Sequence, residues 1–373
     1  MKILFLGWEF PPHSVGGLGT HSYNLIKALA KEGSEVIVVL PFKDHTDIEG
    51  VKFLTFESSA RSIYSIHHDE KENSLYRDVF YEVEEYKRKA VGLAENEQFD
   101  VIHANDWVTG RAAIELKKIT GRKLIATIHS TEYDRTAGKP WGSIEEEEKN
   151  LIKNADYVVT VSNRLKSEII GLYGVDDKKI SVIYNAVEKK EKQLEKRKDE
   201  KNVVLFVGRL SVQKGVDNLI QAFKIVSEKD ENAVLYIVGE GSEMHKLINF
   251  SISLKLADKV IFLGRAPDKE VEALYSIAKV FVMPSVSEPF GIVALEAMSA
   301  RVPTIISSQS GVSEVIKNTL TVDFWDIHQM ADMILGLLEY GGIKEELSSQ
   351  AYKELGNITW KKSANEFMKL YRD

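Results

Sequence analysis

Two glutamates on either side of a Pro-Phe-Gly sequence are the first candidates for chemistry. They are Glu288 and Glu296, in the stretch SEPFGIVALEA. Pro289 and Gly291 break the chain, and residues 292–300 have the composition of a helix. Glu288 is therefore expected just before the helix. Glu296 is expected in its second turn, where a side chain leans back toward the helix start.

The start of this predicted helix is suited to bind an anion. Backbone amides near Phe290, Gly291 and Ile292 would have no partners within the helix, and the helix dipole favours negative charge there. Two nearby carboxylates could accept hydrogen bonds from hydroxyl groups, so the combination suits a nucleotide sugar. The alternative is structural, because a favourable glutamate at a helix start and an exposed helical glutamate are each common.

A second candidate is the loop VGRLSVQKG, which follows a predicted strand and leads into a predicted helix. Arg209 offers a planar guanidinium and Lys214 a point charge, and both could bind a diphosphate. Gly208 and Gly215 bracket them. Surface cations are usually only solvated, but the position at the carboxyl end of a strand favours binding.

A glycine-rich loop, SVGGLGTHSYNL, follows the first predicted strand. Gly16, Gly17 and Gly19 permit a positive φ and a close approach of the backbone to a ligand. The loop is not a dinucleotide-binding G-x-G-x-x-G motif, and it is not a P-loop, because no Gly-Lys-Ser/Thr follows. A plain turn that leads into a helix explains the glycines equally well.

Short apolar runs that alternate with helix-like segments must position these residues. Most runs are apolar along their whole length, which is typical of strands buried on both faces of a parallel sheet. They lie at residues 3–6, 36–40, 101–103, 124–128, 157–161, 180–183, 203–207, 234–238, 260–263, 280–283 and 304–307. Helix-like segments such as residues 22–31 separate many of them. The alternation predicts an α/β protein with ligands at the carboxyl ends of its strands.

A charged segment divides this alternation into two halves. It has almost no apolar residue and cannot be core, and a length of 373 residues also favours two domains. We predict two doubly wound, Rossmann-like domains that face each other across a ligand-binding cleft. The predicted boundaries are 1–187, a linker at 188–201, 202–355, and a C-terminal amphipathic helix at 356–373.

The composition excludes several classes of protein. Lys and Arg number 49 against 56 Asp and Glu, and a net charge of −7 argues against nucleic-acid binding, which needs a basic surface. The absence of cysteine excludes disulfides, thiolate nucleophiles and cysteine-ligated zinc. No metal site is predicted, since His67 and His68 are adjacent rather than spaced as helix ligands. The sequence lacks a signal peptide and a long apolar span, which predicts a cytoplasmic protein and leaves peripheral membrane contact open.

Taken together, the motifs resemble those of the retaining GT-B glycosyltransferases. SEPFGIVALEA is similar to that family's Glu-x7-Glu signature, and the glycine-rich loop, GRLSVQKG and VSNRLKSEII…VIYNAV stand in the family's order along essentially the whole chain. The resemblance implies a GT-B fold. Its amino-terminal domain would lie on the acceptor side, its carboxyl-terminal domain would bind a nucleotide sugar, and helix 356–373 would cross back to the amino-terminal domain.

The resemblance implies distinct roles for the donor-binding residues. Glu288 would orient the donor sugar and stabilise charge at its reacting carbon, whereas Glu296 would hold the nucleotide ribose. Arg209 and Lys214 would bind the diphosphate. These cations could neutralise the diphosphate without magnesium, so neither a metal nor a cofactor is expected.

Two further contacts with the donor are implied. Gly17 would lie close to the distal phosphate, and His129, at the end of the predicted strand LIATIH, matches the histidine that lines the sugar. Without the resemblance, a lone histidine at the end of a strand is more often a capping or packing residue.

The amino-terminal motifs are most similar to the glycogen and starch synthase branch. In WEFPPHSVGGLG and HANDWVTG, Glu9 and Asp106 would face the acceptor. Two residues depart from that branch, because Ser14 replaces its lysine and Asn105 its histidine. A third departure is QSGVSE, where the family often has Gly-Gly, which leaves the contact made by Ser310 open.

The expected activity is transfer of glucose from UDP- or ADP-glucose to a glucan or other saccharide acceptor, with retention at the sugar carbon. One alternative is a transferase of the same fold that makes a small glycoside, a glycolipid or a disaccharide of the sucrose or trehalose type. Two others belong to different classes, namely a sugar-nucleotide epimerase and a non-catalytic protein that binds a nucleotide sugar.

Overall fold

Two parallel β-sheets, one in each half of the chain, form the framework of the protein. The computed structural model describes residues 1–14, 16–58, 72–189 and 201–373. For residues 72–78 it describes the backbone only. Most of the segment predicted as a linker lies outside these residues, as do His67 and His68.

The described residues form thirteen strands, which include all the runs that the sequence predicts. They are β1 Lys2–Leu6, β2 Glu35–Leu40, β3 Val51–Thr55, β4 Val101–Asn105, β5 Lys123–Ile128, β6 Tyr157–Thr160, β7 Ile180–Val182, β8 Asn202–Val207, β9 Ala233–Val238, β10 Val260–Gly264, β11 Val280–Met283, β12 Thr304–Ser307 and β13 Leu320–Val322. The strands β3 and β13 were not predicted.

Helices separate most of these strands. They are α1 Gly17–Lys31, α2 Glu72–Ala94, α3 Gly110–Thr120, α4 Glu132–Arg135, α5 Gly142–Asn154, α6 Asn163–Tyr173, α7 Val216–Lys229, α8 Met244–Ser253, α9 Asp268–Ile277, α10 Ile292–Ser299, α11 Ile327–Glu339, α12 Gly341–Glu354 and α13 Trp360–Arg372.

The chain divides into two compact units. The amino-terminal unit comprises Met1–Tyr133, Gly138–Asn185 and Trp360–Asp373, and the carboxyl-terminal unit comprises Asp134–Ala137 and Ala186–Thr359. The last helix, α13, therefore belongs to the amino-terminal unit.

Each unit is built on one sheet whose strands all pair in parallel. The order is β3-β2-β1-β4-β5-β6-β7 in the amino-terminal unit and β10-β9-β8-β11-β12-β13 in the carboxyl-terminal unit. The central strands are buried along nearly their whole length, because helices cover both faces of a doubly wound sheet. The predicted α/β class with two Rossmann-like sheets is confirmed.

The start of α1 differs from the sequence prediction. The helix begins at Gly17, within the glycine-rich stretch, rather than at residue 22. Gly16 precedes it with an extended backbone (φ −172°), and neither Gly17 nor Gly19 has a positive φ. A Cβ atom at position 19 would collide with the Ser14 side chain. Gly19 therefore permits close packing against Ser14, and the positive φ expected for these three glycines is wrong.

Helix α13 packs against α1 in the amino-terminal unit. Its buried face includes Trp360, Phe367 and Tyr371. The Tyr371 hydroxyl lies 2.7 Å from Nδ1 of His103, which is fully buried in β4. A polar bond thus accompanies the apolar contact between this helix and the sheet.

Candidate functional site

Two loops meet at the carboxyl edge of the carboxyl-terminal sheet, because β8 and β11 are neighbouring parallel strands. The β8–α7 loop carries Lys214, and the β11–α10 loop carries Glu288. The amide of Val286 donates a hydrogen bond to the carbonyl oxygen of Gln213 at 2.9 Å. Gly215 has a φ of 60°, and a Cβ atom there would collide with the Pro284 carbonyl oxygen. Only glycine allows this approach.

The approach of the two loops brings Lys214 and Glu288 into direct contact. The Nζ atom of Lys214 lies 2.6 Å from Oε2 of Glu288, which also accepts a hydrogen bond from the Ser285 hydroxyl at 3.1 Å. The side chains are 18% and 9% exposed, respectively. The pair is thus screened little by water, and each charge depends on the other.

Gly291 caps the amino end of α10 with a φ of 109°. A Cβ atom at this position would collide with Met283, so the chain passes close to the end of β11. The predicted residues Phe290 and Ile292 lie on either side and are buried. The first amides of a helix have no i−4 carbonyl to bind, and an anion site at this helix start stays a prediction.

The β12 end of the sheet supports this helix start. The buried hydroxyl of Ser310 donates to the Phe290 carbonyl oxygen at 3.0 Å, and the amide of Val312 donates to the same oxygen at 2.8 Å. The amide of Gly311 donates to the carbonyl oxygen of Glu288 at 3.0 Å. Ser310 therefore fixes the backbone of the loop that carries Glu288.

Glu296 has a different environment from Glu288, although both lie close to the start of α10. It is partly exposed, and the Tyr275 hydroxyl lies 3.5 Å from its Oε2 atom. Burial raises the pKa of Tyr275 well above its usual value, and the negative charge of Glu296 raises it further. Tyr275 was not predicted, because a tyrosine on an amphipathic helix gives no signal that distinguishes it from core.

Arg209 lies five residues before Lys214, in the same loop, and is partly exposed. Its neighbours are tied to the β9–α8 loop: the amide of Gly208 donates to the Val238 carbonyl oxygen at 3.0 Å, and that of Leu210 to Glu240 at 2.8 Å. Arg209 thus occupies a fixed segment at the edge predicted to bind the diphosphate.

In the amino-terminal unit, His129 and Asn105 meet at the carboxyl ends of the paired strands β5 and β4. The Nε2 atom of His129 lies 2.8 Å from Oδ1 of Asn105. The side chain of Asn105 is fully buried, whereas His129 is partly exposed. The departure at position 105 therefore contacts the predicted sugar-lining histidine directly.

Two further histidines, His21 and His103, are buried near His129. The Nδ1 atom of His21 lies 2.7 Å from Oδ1 of Asn185, and its ring centre lies 4.3 Å from that of His129. The Nε2 atom of His103 lies 2.7 Å from the Thr127 hydroxyl. Sequence reasoning did not find this cluster, since single histidines in apolar surroundings carry no motif.

Burial keeps these three histidines neutral. It lowers the pKa of His21 to about 4, although the hydrogen bond with Asn185 acts in the opposite direction. Burial also lowers the pKa of His103 and of His129 well below the usual value, and charge on His21 would lower both further.

The other predicted residues of this unit lie after β1, after β4 and at the start of α1. Glu9, after β1, is 2% exposed. Asp106 is equally buried, and its carboxylate accepts a hydrogen bond from the Trp107 amide at 3.1 Å. Gly16 and Gly17 are exposed at the start of α1. Asp106 thus has a structural role that does not depend on its predicted position on the acceptor side.

Within the described residues, no group of three or more acidic or histidine side chains is arranged to hold a metal ion. The helices of the same residues include none that is long and apolar enough to span a bilayer.

Two family models divide the chain between them. Residues 15–191 match glycosyltransferase family 4, and residues 187–354 match glycosyl transferases group 1. An uncharacterized glycosyltransferase of Methanocaldococcus jannaschii is 31% identical, over 100% of this chain and 98% of that relative. The glycogen synthase of Mycobacterium tuberculosis is 30% identical over 86% of this chain and 81% of its own length. The chain is a GT-B glycosyltransferase.

A solved structure agrees with the GT-B fold of this glycosyltransferase. HepE of Anabaena, in complex with UDP and glucose, superposes with a TM-score of 0.75 at 19% identity, over 100% of both chains. At this identity the likeness concerns the fold, and the predicted GT-B architecture is confirmed.

We expect the Lys214–Glu288 pair to be strongly coupled. In a double-mutant cycle with Lys214→Met and Glu288→Gln, the coupling free energy of unfolding should be about 1–3 kcal/mol, because either single change leaves a nearly buried charge without its partner. The exposed pair Lys224–Glu228 on α7, with Nζ and Oε1 3.1 Å apart, is the control. Its coupling should be about 0.3–0.5 kcal/mol. Equal coupling in the two pairs would contradict the argument.

Acid should destabilise the amino-terminal unit through its buried histidines. Their folded-state pKa values lie below the unfolded value of 6.5, so their neutral forms contribute stability above pH 6.5 that is lost as the pH falls toward 4. Each histidine that gains its proton only on unfolding lowers the free energy of unfolding by about 1.4 kcal/mol per pH unit in this window.

Urea unfolding at pH 7.5, 6.5 and 5.5 measures this slope. His103→Gln should reduce the slope by up to about 1.4 kcal/mol per pH unit. A free energy of unfolding that is the same at pH 7.5 and 5.5 would show that the histidines are not buried in neutral form.

Proposed function

We propose that this glycosyltransferase transfers glucose from UDP- or ADP-glucose to a glucan or another saccharide acceptor, with retention at the sugar carbon. The observation that carries the proposal is the Lys214–Glu288 pair at the start of α10, 2.6 Å from Nζ to Oε2. It joins a cation for the diphosphate to a carboxylate for the sugar. The likeness to a glycogen synthase and to a protein solved with UDP and glucose supports this choice of donor and acceptor.

The proposed chemistry separates charge. Breaking the bond between the sugar carbon and the phosphate oxygen leaves negative charge on the diphosphate and positive character on the sugar ring. Arg209, Lys214 and the first amides of α10 would stabilise the diphosphate, and such prearranged groups are commonly the largest contribution to catalysis. The carboxylate of Glu288 would accept hydrogen bonds from sugar hydroxyls and stabilise the ring.

Binding of the donor would redistribute the partners of Lys214. Without donor, its charge is balanced by Glu288, so neither group stands unpaired in a poorly hydrated place. A diphosphate would attract Lys214, and Glu288 would keep its hydrogen bond with Ser285 while it turns to the sugar. The pair would thus hold both groups ready for the donor.

Retention requires the acceptor to attack from the face that the phosphate leaves. The acceptor oxygen would form the new bond to the sugar carbon as the phosphate oxygen departs, and the acceptor proton would pass to that phosphate. Glu9 and Asp106 would lie on the acceptor side, and Gly16 and Gly17 near the distal phosphate. His129 would line the sugar.

Transfer to a small acceptor, giving a glycoside, glycolipid or disaccharide, is the second candidate. It is favoured by Ser14, which stands where the synthase branch has a lysine. The Ser14 side chain lies so close to Gly19 that a Cβ atom there would collide with it. Position 14 thus holds a small packing residue in place of a cation.

Thermal-shift screening tests the donor. The nucleotides UDP, ADP and GDP and their glucose conjugates are compared. UDP or ADP and its glucose conjugate should raise the Tm, because binding at a hundredfold excess over Kd adds about 2.7 kcal/mol to the free energy of unfolding. Assays with glucan oligosaccharides, small sugars and no acceptor then identify the product. Epimerised donor without acceptor indicates an epimerase, binding without any turnover indicates a binding protein, and no stabilisation by any conjugate overturns the proposal.

Substitutions of Glu288 and Glu296 should change different kinetic constants. Glu288→Ala removes charge stabilisation at the sugar and should lower kcat by about 10²–10³, whereas Glu296→Ala should mainly raise KM for the donor, by about tenfold for one lost hydrogen bond. Glu270→Ala, at an exposed position on α9, is the control. Steady-state kinetics measure both constants. If both changes raised KM alone, the two glutamates would share one binding role.

A further inference from the structure

A chain of hydrogen bonds in the amino-terminal unit fixes the orientation of a buried hydroxyl group. The Ser22 hydroxyl donates to the Leu18 carbonyl oxygen in the preceding turn of α1, at 2.8 Å. A serine hydroxyl has one proton, so Ser22 can only accept from its second partner. That partner is the side-chain amide of Asn105, 2.7 Å away, and both side chains are fully buried.

The serine in turn fixes the amide of Asn105. Because Ser22 accepts, the Nδ2 group of Asn105 must face it, and Oδ1 must face the other way, toward His129. Reversing the amide would place two acceptors together at Ser22, within a region that excludes water. The cost of an unsatisfied buried polar group holds the orientation.

The amide oxygen then decides where His129 carries its proton. Oδ1 of Asn105 can only accept, so the Nε2 atom of His129, at 2.8 Å, must donate. Burial lowers the pKa of the ring, so it carries a single proton at neutral pH, and the Nδ1 atom has a free lone pair. Among the described residues, Nδ1 has no hydrogen-bond partner and is not one of the unpaired atoms that are shut off from solvent.

We propose that Asn105 is a positioning residue that holds His129 in the tautomer protonated on Nε2, so that Nδ1 accepts a hydrogen bond from a hydroxyl of the donor sugar. The part that concerns the sugar rests on the proposed function. An uncharged acceptor suits a site where positive character develops on the sugar ring, because a lone pair attracts that charge and an imidazolium would oppose it.

The neutral partner at position 105 is essential to this arrangement. A carboxylate would favour the imidazolium, whose Nδ1 would donate instead of accept. Among the described residues, the titratable groups whose charge would act on His129 are His21 from α1 and His103 from β4, and burial lowers the pKa of both. Asn105 thus selects one neutral form within a neutral cluster.

Nuclear magnetic resonance of the full chain with ¹⁵N-labelled histidine tests the tautomer. The two nitrogen resonances of His129, assigned by comparison with His129→Gln, should show Nε2 protonated and Nδ1 unprotonated at pH 7.5. Asn105→Asp should retain the proton on Nε2 and shift the titration of His129 to higher pH, whereas Asn105→Ala and Ser22→Ala should populate the tautomer protonated on Nδ1. Thr127→Val removes the hydrogen-bond partner of the Nε2 atom of His103 and should leave the His129 pattern unchanged.

Activity provides the second measurement. Asn105→Ala should lower kcat/KM for the donor by about tenfold, the value of one hydrogen bond. As the pH is lowered, Asn105→Asp should lose activity at a higher pH than the wild type does. A wild-type His129 protonated on Nδ1, or a tautomer that does not respond to Asn105→Ala, would overturn the proposal even if transfer is observed. A tautomer as expected, with no transfer from any donor, would reject the proposed function and confirm the role of Asn105.

Discussion

The contact between the Gly215 backbone and the Pro284 carbonyl oxygen is the constraint on which the carboxyl-terminal site depends. Parallel pairing of β8 and β11 brings the ends of two strands together, but it leaves their loops free to diverge. The absent Cβ atom and the hydrogen bond from Val286 to Gln213 close the remaining distance. Backbone packing therefore brings Lys214 and Glu288 within reach of each other.

A comparable principle governs the amino-terminal unit, where hydrogen bonds hold polar groups within an apolar region, although the buried Nε2 atom of His21 has no partner among the described residues. His103 bonds to Tyr371 and Thr127, and His21 bonds to Asn185. Such networks are stable only when nearly every member is satisfied, and they then impose one arrangement. The cluster thus combines packing of a helix on a sheet with an oriented set of imidazole rings.

The sequence was sufficient for the fold class and for the elements that carry the candidate residues. Continuous apolar runs identified the central strands, since burial on both faces leaves an unambiguous pattern. It was insufficient for β3 and β13, in which only Val322 is buried. The glycine-rich start of α1 was located correctly, but the packing of Gly19 against Ser14 was not predicted, because a close approach between side chain and backbone has no linear signature.

The candidate site was predictable to a similar extent. Glu288 and Lys214 were singled out by type and by position at strand ends, but sequence could not show that they bind each other across 74 residues. The histidine cluster and Tyr275 were missed for a related reason. Their contacts join elements far apart in the chain, and no spacing rule connects them.

The position of α13 has a consequence for how the chain acquires its structure. Residues 360–372 complete a unit whose other parts end at Asn185, so a whole folded unit intervenes in synthesis. Until those residues leave the ribosome, α1 lacks the apolar face that covers it and His103 lacks a partner for its Nδ1 atom. Domains generally fold in order of synthesis. Here the carboxyl-terminal unit can finish first, and the amino-terminal unit must wait for the last helix.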